Sequence, residues 1–161
     1  MAKLAAIPER RAAFQERRTF AALSEPLLSR GQLLYRRPAY LEKRTDWPQP
    51  ERMVVDGPYL SVTEANDAPR VIDLRGQPEL RAMIDGLRSP LAGDLAALQD
   101  RFSIAAAGSL AAWSLDLKPR DDRTARFLRS LRLTGRDDSI TEIHLLQANG
   151  DEQWMQIGPP S

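Results

Sequence analysis

Few side chains in this sequence have the types and spacing that catalysis or metal binding requires. The chain has no cysteine and a single histidine, His144, which leaves no thiol nucleophile, no disulfide and no set of His or Cys ligands for a metal ion. Neither a glycine-rich phosphate loop nor a Gly-x-Ser-x-Gly element occurs. The pairs Asp121-Asp122 and Asp137-Asp138 stand in turn-like stretches, where aspartates usually cap helices or form turns. We therefore predict a protein that is not an enzyme and that holds no metal or cofactor.

The stretch RGQLLYRRPAYLEKRT, residues 30–45, instead combines cations with apolar side chains. Within a strand over Gln32–Arg37, alternation puts Leu33, Tyr35 and Arg37 on one face. Pro38 cannot donate a ladder hydrogen bond, so it marks the end of this strand or a bulge. Any cation that such a strand buries needs a partner on a neighbouring element.

Short apolar runs separated by turn signals organise the first half of the chain. Runs of this length, spaced by about ten residues, predict an antiparallel meander. The first run, Ala12–Leu23, has the clean period of neither a helix nor a strand, and we favour a strand because a clear strand follows it. The further strands are predicted over Gln32–Arg37, Leu41–Thr45, Arg52–Asp56, Tyr59–Thr63 and Arg70–Leu74.

The middle of the chain changes to a helical period. Apolar residues recur at helical spacing over Glu79–Leu87 and again over Ala92–Phe102, and a short helical patch lies at Lys3–Ile7. Strand signals then return at Trp113–Leu117, Leu131–Gly135, Ile140–Ala148 and Gln153–Ile157. This order predicts an α+β fold of a single domain, residues 1–161, in which the helices cover the apolar face of a large antiparallel sheet.

Composition limits the classes of partner and the location. The 161 residues carry a net charge of +1, so net charge gives no support to a general role at nucleic acids or at membrane surfaces. No apolar run is long enough to span a membrane, and the start MAKLAAIPERR lacks the apolar core of a signal peptide. Two alternatives remain: a cytoplasmic protein, or a mature chain from which a leader has been removed.

Aromatic side chains lie on or beside most of the predicted strands, among them Phe14, Tyr35 and Trp113. They fit two interpretations. One is ordinary packing in a core. The other is a sheet that curves around a pocket for an apolar ligand, with the helices as its lid.

The order of the motifs resembles a known family. The stretch SRGQLLYRRPAYLEKRT, followed by a proline and then MVVDGPYLSV, is similar to the signature of the periplasmic lipoprotein carrier family LolA. Upstream, Phe14-x-Glu16 resembles the family's Phe-x-Gln motif, and the two central helices fall where the family has helices. The resemblance covers about residues 3–157. The unusual Glu16 and Lys43, and an end close to the last strand, make the chain look like a LolA-like branch often encoded near genes for polyene-type lipids and their exporters.

The resemblance implies an unclosed antiparallel β-barrel of about eleven strands with short helices as a lid. Its apolar concave surface would carry acyl chains of a lipoprotein or lipid through the periplasm, from an inner-membrane releasing complex or exporter to an outer-membrane acceptor. It also implies a monomer that binds no nucleic acid and whose leader has been removed.

The resemblance further implies which residues face inward. An apolar cavity would be lined by Phe14, Leu33, Tyr35, Leu41 and Trp113. In the family the Arg of Arg-Pro, here Arg37, points into the cavity and bonds the lid helices. Lys43 would share the inner face of the next strand, and Glu16 would be the available partner for both cations.

Two other functions compete with the carrier. The first alternative is a non-enzymatic β-domain that binds a protein partner on its concave face. The second is an enzyme that acts on a lipid, for which the sequence offers no nucleophile with a matching base.

Overall fold

The computed structural model describes residues 9–37, 39–65, 67–77, 80–81, 84–85, 88, 95–137 and 139–158. Eleven antiparallel strands form one sheet in the order β6-β5-β4-β3-β2-β1-β11-β10-β9-β8-β7. The strands are β1 (Glu9–Thr19), β2 (Leu27–Arg36), β3 (Tyr40–Trp47), β4 (Glu51–Asp56), β5 (Tyr59–Glu64), β6 (Arg70–Asp73), β7 (Phe102–Ser109), β8 (Ala112–Pro119), β9 (Leu128–Arg136), β10 (Ser139–Gln147) and β11 (Glu152–Ile157).

The sheet consists of two meanders joined at the middle. Strands β1–β6 pair in chain order, as do β7–β11, and the pairing of β1 with β11 connects the two meanders. The outermost strands β6 and β7 do not pair with each other, so the barrel is not closed. This confirms the predicted fold class, an incomplete antiparallel barrel with short helices.

Alternation explains why β1 forms a strand in spite of its many charges. Arg10, Ala12, Phe14 and Glu16 are buried, while the residues between them are exposed. This period of two places one row of side chains on the concave face and leaves the other in solvent.

Helices lie between the two meanders and beside the second one. Residues 80–81, 84–85 and 88 are helical, and α1 (Leu95–Arg101) and α2 (Asp122–Ala125) follow. Asp121 caps α2, since its side chain accepts a hydrogen bond from the Thr124 amide at 2.7 Å. That hydrogen bond holds the pKa of Asp121 below its usual value. No helix in the described part of the chain is both long and apolar enough to cross a membrane.

Two separate apolar clusters form the core. One lies on β7–β10 beneath α1 and consists of Leu98, Phe102, Leu117, Leu128, Leu131, Leu133 and Leu145. The other lies on β4, β5 and the turn after β6, and consists of Val55, Leu60, Leu74 and the helical residue Ile84. The inner faces of β1, β2 and β11 lie between these two clusters in the sheet order.

Some predicted boundaries differ from the structure. Strand β7 was not predicted, and the predicted helix Ala92–Phe102 is described as Leu95–Arg101 with Phe102 already in β7. The run FSIAAAGS lacks large alternating side chains, so it is pairing with β8 and not a local pattern that makes it a strand. The predicted first strand Ala12–Leu23 is shifted toward Glu9–Thr19. The patch Lys3–Ile7 and part of Glu79–Leu87 lie outside the described residues.

Candidate functional site

A cavity of about 350 Å³ lies on the concave face between the two core clusters. Its walls come from the inner faces of β1–β4, β10 and β11, and the helical residues Leu80 and Ile84 lie over it. The volume falls within the range of about 300–1,000 Å³ that is usual for small-molecule sites. Most of its lining is apolar: Ala12, Phe20, Leu33, Tyr35, Leu41, Met53, Val55, Leu80, Ile84, Ile140, Ile143, Leu145, Met155 and Ile157.

A buried carboxylate stands behind this apolar wall. The Glu16 side chain is only 2% exposed, and its Oε2 accepts hydrogen bonds from Lys43 Nζ and from Gln153 Nε2, both at 2.7 Å. Arg18 Nε lies 2.6 Å from Glu16 Oε1. Glu16 therefore has two cationic neighbours and one neutral donor, which is the kind of compensation that a buried charge requires.

Lys43 is the cation that this carboxylate keeps in the cavity wall. Its side chain is 14% exposed, and Nζ lies 5.3 Å from the centre of the Phe14 ring. Burial lowers the pKa of Lys43, while the charge and hydrogen bond of Glu16 oppose that shift. The predicted pairing of Lys43 with Glu16 is thus present in the structure.

Gly31 is a position where strands β2 and β3 approach closely. Lys43 pairs with Leu33, and Glu16 pairs with Ser29, so Gly31 lies between these two positions on the intervening strand β2. A Cβ atom on Gly31 would overlap the carbonyl oxygen of Arg44 on β3. The glycine of the Gly-x-Leu motif is therefore a position of close backbone approach.

Arg37 is not where the sequence analysis placed it. Its side chain is exposed in the turn after β2, so the prediction of a partly buried cation facing the cavity is wrong. The reason is that β2 ends at Arg36, so the strand alternation does not extend to the next residue. Burial raises the pKa of Tyr35, and the charges of Arg37 and Arg88 oppose that rise.

Arg88, a helical residue, connects the helical segment to the strands. Its Nη1 donates hydrogen bonds to the carbonyl oxygens of Ala39 at 3.2 Å and Gly57 at 2.7 Å. These carbonyls belong to the β2–β3 and β4–β5 turns, which are themselves joined by the Gly57 amide and the Ala39 oxygen. A side chain of the helical segment thus holds the strand turns, whereas the family pattern predicts a strand side chain that holds the helices.

Asp85 connects this contact to α1. It accepts a hydrogen bond from Arg88 Nη2 at 2.9 Å, and it lies 3.5 Å from Arg101 Nε at the end of α1 and 3.6 Å from Arg81 Nε. The Asp85 side chain is 15% exposed. One carboxylate therefore links the helical segment over the first meander to the helix over the second.

The structure brings most of the predicted site residues together. Leu33, Tyr35, Leu41 and Lys43 line the cavity, while Phe14 and Glu16 are buried beside Lys43. Trp113 lies on β8 against the second meander's core cluster, and its Nε1 donates to the Asp137 carbonyl at 3.1 Å. It is not part of the cavity lining, because β8 is separated from β1 by three strands of the sheet.

Sequence reasoning missed several lining residues and the bonds of Arg88 to the strand turns, which we name the latch. Met53 and Val55 are two residues apart on β4, so alternation within Arg52–Asp56 was a signal that could have found them. Met155 pairs with Glu16 across β1 and β11, which only the long-range register reveals. No sequence pattern indicated that Arg88 would bond the strand turns or that Asp85 would connect Arg88 to Arg101.

Comparison with known proteins assigns the family. The family model described as outer membrane lipoprotein carrier protein LolA-like matches residues 1–159. A LolA superfamily protein from Nitrosomonas europaea is similar in structure, with 12% identity, a TM-score of 0.51, and coverage of 99% of this chain and 89% of that one. This likeness supports the fold.

Two other solved structures match more weakly. The MucA/MucB complex of Pseudomonas aeruginosa has 16% identity and a TM-score of 0.47, and the match covers 99% of this chain but 54% of that one. A putative outer membrane lipoprotein-sorting protein domain from Vibrio parahaemolyticus has 8% identity and a TM-score of 0.41, with 99% and 87% covered. No curated protein matches the sequence. From the family match over nearly its whole length, this chain belongs to the LolA-like family of outer membrane lipoprotein carrier proteins.

Proposed function

We propose that this protein is a carrier that holds the acyl chains of a lipoprotein or lipid in its concave cavity. The observation that supports the proposal is the apolar cavity between the two core clusters, with Leu80 and Ile84 over it. The carrier would act in the periplasm as a monomer. It would receive cargo from an inner-membrane releasing complex or exporter and deliver it to an outer-membrane acceptor.

The energetics suit a carrier that must both hold and release its cargo. Each buried methylene contributes about 0.8 kcal/mol, so an acyl chain of about sixteen carbons gains on the order of 10 kcal/mol gross. Helical residues that cover the empty cavity compete with the cargo and lower its apparent affinity. The hydrogen bonds of Arg88 to the strand turns, worth about 1 kcal/mol each or somewhat more for a charged donor, are of the right size to adjust that competition.

A displacement experiment tests the cavity directly. A fluorescent hydrophobic probe should bind the delipidated protein, and a palmitoyl lipid should displace it. Leu33→Asp replaces an apolar side chain of the cavity wall by a charged group and should weaken probe binding at least tenfold, because the apolar probe loses that contact and meets a polar surface. Leu34→Asp is the matched control, since Leu34 is the next residue on β2 and points to the opposite face.

The same purified protein distinguishes the carrier from the alternative, a non-enzymatic β-domain that binds a protein partner. Lipid extracted from freshly purified protein, or an adduct of acyl-lipid mass in a native mass spectrum, supports the carrier. Probe binding that Leu33→Asp leaves unchanged in folded protein would contradict it. A protein partner that binds the concave face in place of lipid, and that Leu33→Asp displaces, would favour the non-enzymatic β-domain.

A further inference from the structure

Large apolar side chains are exposed in a group at one end of the sheet. Leu23, Leu27, Leu28 and Trp47 are 50%, 54%, 53% and 46% exposed. They belong to the β1–β2 hairpin and to the end of the neighbouring strand β3, and we name them the hairpin patch. Single exposed apolar residues are normal on a protein surface, whereas a group of them marks a contact site.

The hairpin patch adjoins the polar end of the cavity. Strand β1 ends and β2 begins at the same end of the sheet at which β10 ends and β11 begins. At this end the cavity is lined by Arg18, Phe20, Gln147 and Asp151. The Ala21 amide donates to Asp151 Oδ1 at 3.0 Å, which fixes the β1–β2 hairpin against the β10–β11 turn.

A fifth exposed side chain lies across this end of the cavity. Phe127 is 55% exposed, and its carbonyl accepts a hydrogen bond from the Ala148 amide, which follows β10. Apolar side chains therefore stand on both sides of the polar cavity end, with the hairpin patch on one side and Phe127 on the other.

Exposed arginines lie around these apolar side chains. Arg17 lies 4.4 Å from the centre of the Trp154 ring, and Arg30 lies 5.3 Å from that of Trp47. Both are exposed, and among the described residues their contacts are with aromatic faces instead of carboxylates. Arg126 and Arg129, both exposed, flank Phe127.

Carboxylates also lie at this end, and several of them have hydrogen-bonded or charged partners. Asp46 lies 3.3 Å from Arg44 Nε, and Asp151 accepts from the Ala21 amide and from Asn149 Nδ2. Glu16 is enclosed by Lys43, Arg18 and Gln153, as described above. Glu25 in the hairpin and Asp122 in α2 are exposed. The exposed arginines Arg17, Arg30, Arg126 and Arg129 make no ion pair with a carboxylate among the described residues, so their guanidinium groups stay open to an anionic partner.

We propose that this end of the sheet docks on the surface of an anionic lipid bilayer. Leucine and tryptophan side chains partition into the interface between headgroups and acyl chains. Guanidinium groups bind phosphate in a bidentate way and are attracted to anionic leaflets. The β1–β2 hairpin has this composition and lies beside the cavity end. Its insertion would bring the cavity close to the acyl chains of the bilayer.

A lipid surface explains the arrangement better than a protein acceptor does. The exposed apolar residues are spread around the cavity end on separate turns, and arginines are interspersed among them, as on surfaces that meet a fluid headgroup layer. The docking site goes beyond the proposed cargo cavity. The docking site can exist without the proposed carrier function, but its biological purpose rests on that function.

Sedimentation with vesicles tests the proposal on the whole chain. The protein should pellet with vesicles of phosphatidylethanolamine and phosphatidylglycerol at least tenfold more than with vesicles of phosphatidylcholine alone, and 0.5 M salt should reduce this binding. The double variant Leu27→Ser, Leu28→Ser and the double variant Arg17→Gln, Arg30→Gln should each lower it at least fivefold. Leu110→Ser is the matched control, because Leu110 is 53% exposed in the β7–β8 turn at the opposite end of the sheet.

The outcomes are distinct for the two proposals. Probe binding in the cavity together with no sedimentation, or with a loss that Leu110→Ser reproduces, overturns the docking site and leaves the carrier intact. Specific capture of the protein by a purified protein acceptor through the hairpin patch, without any binding to vesicles, also overturns it. Vesicle binding that follows the expected variants supports the docking site even if the cavity takes up no probe.

Discussion

At the scale of single residues, the Glu16–Lys43 pair is the most unusual feature of the concave face. A carboxylate that is 2% exposed and an ammonium group that is 14% exposed are joined at 2.7 Å inside an otherwise apolar wall. Buried ion pairs of this kind add little net stability, yet removing one partner is costly because the other charge remains buried. Glu16 and Lys43 therefore determine each other's tolerance to substitution.

Glu16→Gln should destabilise the protein by about 2–4 kcal/mol at pH 7, because it leaves Lys43 as a buried cation without its counter-charge. Burial already lowers the pKa of Lys43 in the folded state, and loss of Glu16 lowers it further. Folding then disfavours the charged form of Lys43, so the loss of stability is complete at pH values below the pKa of Lys43 in the folded state. It shrinks as pH rises from there toward the unfolded value of 10.5. Urea unfolding of variant and wild type at pH 7 and pH 9.5 measures this.

The control for Glu16→Gln is Glu9→Gln, at an exposed position of the same strand. That change should stay within about 0.5 kcal/mol, as is typical of surface sites. A loss for Glu16→Gln that is the same at both pH values would show that the effect does not come from the charge of Lys43.

Gly31→Ala should destabilise the protein by about 2 kcal/mol or more, because the added methyl group overlaps the main chain of Arg44 and neither strand can yield easily. Gly76→Ala is the matched control. A Cβ atom there meets no other atom within 4 Å, and the residue has no positive φ, so the change should be neutral or slightly stabilising. Thermal unfolding midpoints compare the two, and equal midpoints would contradict the close approach.

At the scale of elements, alternation along strands was the reliable source of prediction. It placed Leu33 and Tyr35 on the inner face and Leu41 and Lys43 opposite them, as the register of β2 and β3 has it. Alternation gave a wrong prediction at the end of β2, because Arg37 is no longer part of the strand. It gave no prediction for β7, because the alanines of that strand do not alternate with polar residues. Trp113 was misplaced because alternation identifies a face of a strand but not the position of that strand in the sheet.

Contacts between distant elements could not be predicted from the sequence. Arg88 meets Ala39 and Gly57, which lie 49 and 31 residues away along the chain. A single arginine in an amphipathic helix normally indicates only a solvated face. The role of Arg88 depends on where the β2–β3 and β4–β5 turns meet, and the pairing of the strands in the first meander determines that position.

Arg88→Met should loosen the helical segment over the cavity without unfolding the sheet. It removes two hydrogen bonds to main-chain carbonyls, each worth about 1 kcal/mol or more for a charged donor, and keeps an apolar stem. The open form should gain at least tenfold in population, so the probe should associate faster and bind more tightly. Stopped-flow probe binding measures the rate. Amide exchange over residues 80–88 reports the opening.

Arg37→Leu is the discriminating control for Arg88→Met. Its side chain is exposed, so this substitution should change the association rate less than twofold. If Arg37→Leu accelerated binding and Arg88→Met did not, the latch would belong to the strand, as the family pattern predicts, and not to the helical segment.

At the scale of the whole molecule, the cavity lies where the two meanders join. The β1–β11 pairing is the connection between them in the sheet, and a core cluster lies on each side of it. Strand patterning predicted the antiparallel sheet, and the order of the motifs carried the resemblance to the family, which implied the unclosed barrel. The position of the cavity depends on the pairing of β11 with β1, which no local sequence pattern indicates.

A bound acyl chain should therefore stabilise the molecule as a whole, because it fills the space between the two core clusters. Binding to the folded state alone adds about 2.7 kcal/mol when free ligand is at 100 times its Kd. A lysolipid with one palmitoyl chain should accordingly raise the thermal midpoint of delipidated wild type by several degrees, in one cooperative transition, as followed by calorimetry. Leu33→Asp should show little or no shift, whereas Leu34→Asp should respond like wild type, since that residue faces away from the cavity. Two separate transitions, of which only one moves with lipid, would show that the ligand is held by a single meander and that the cavity at the junction is not its site.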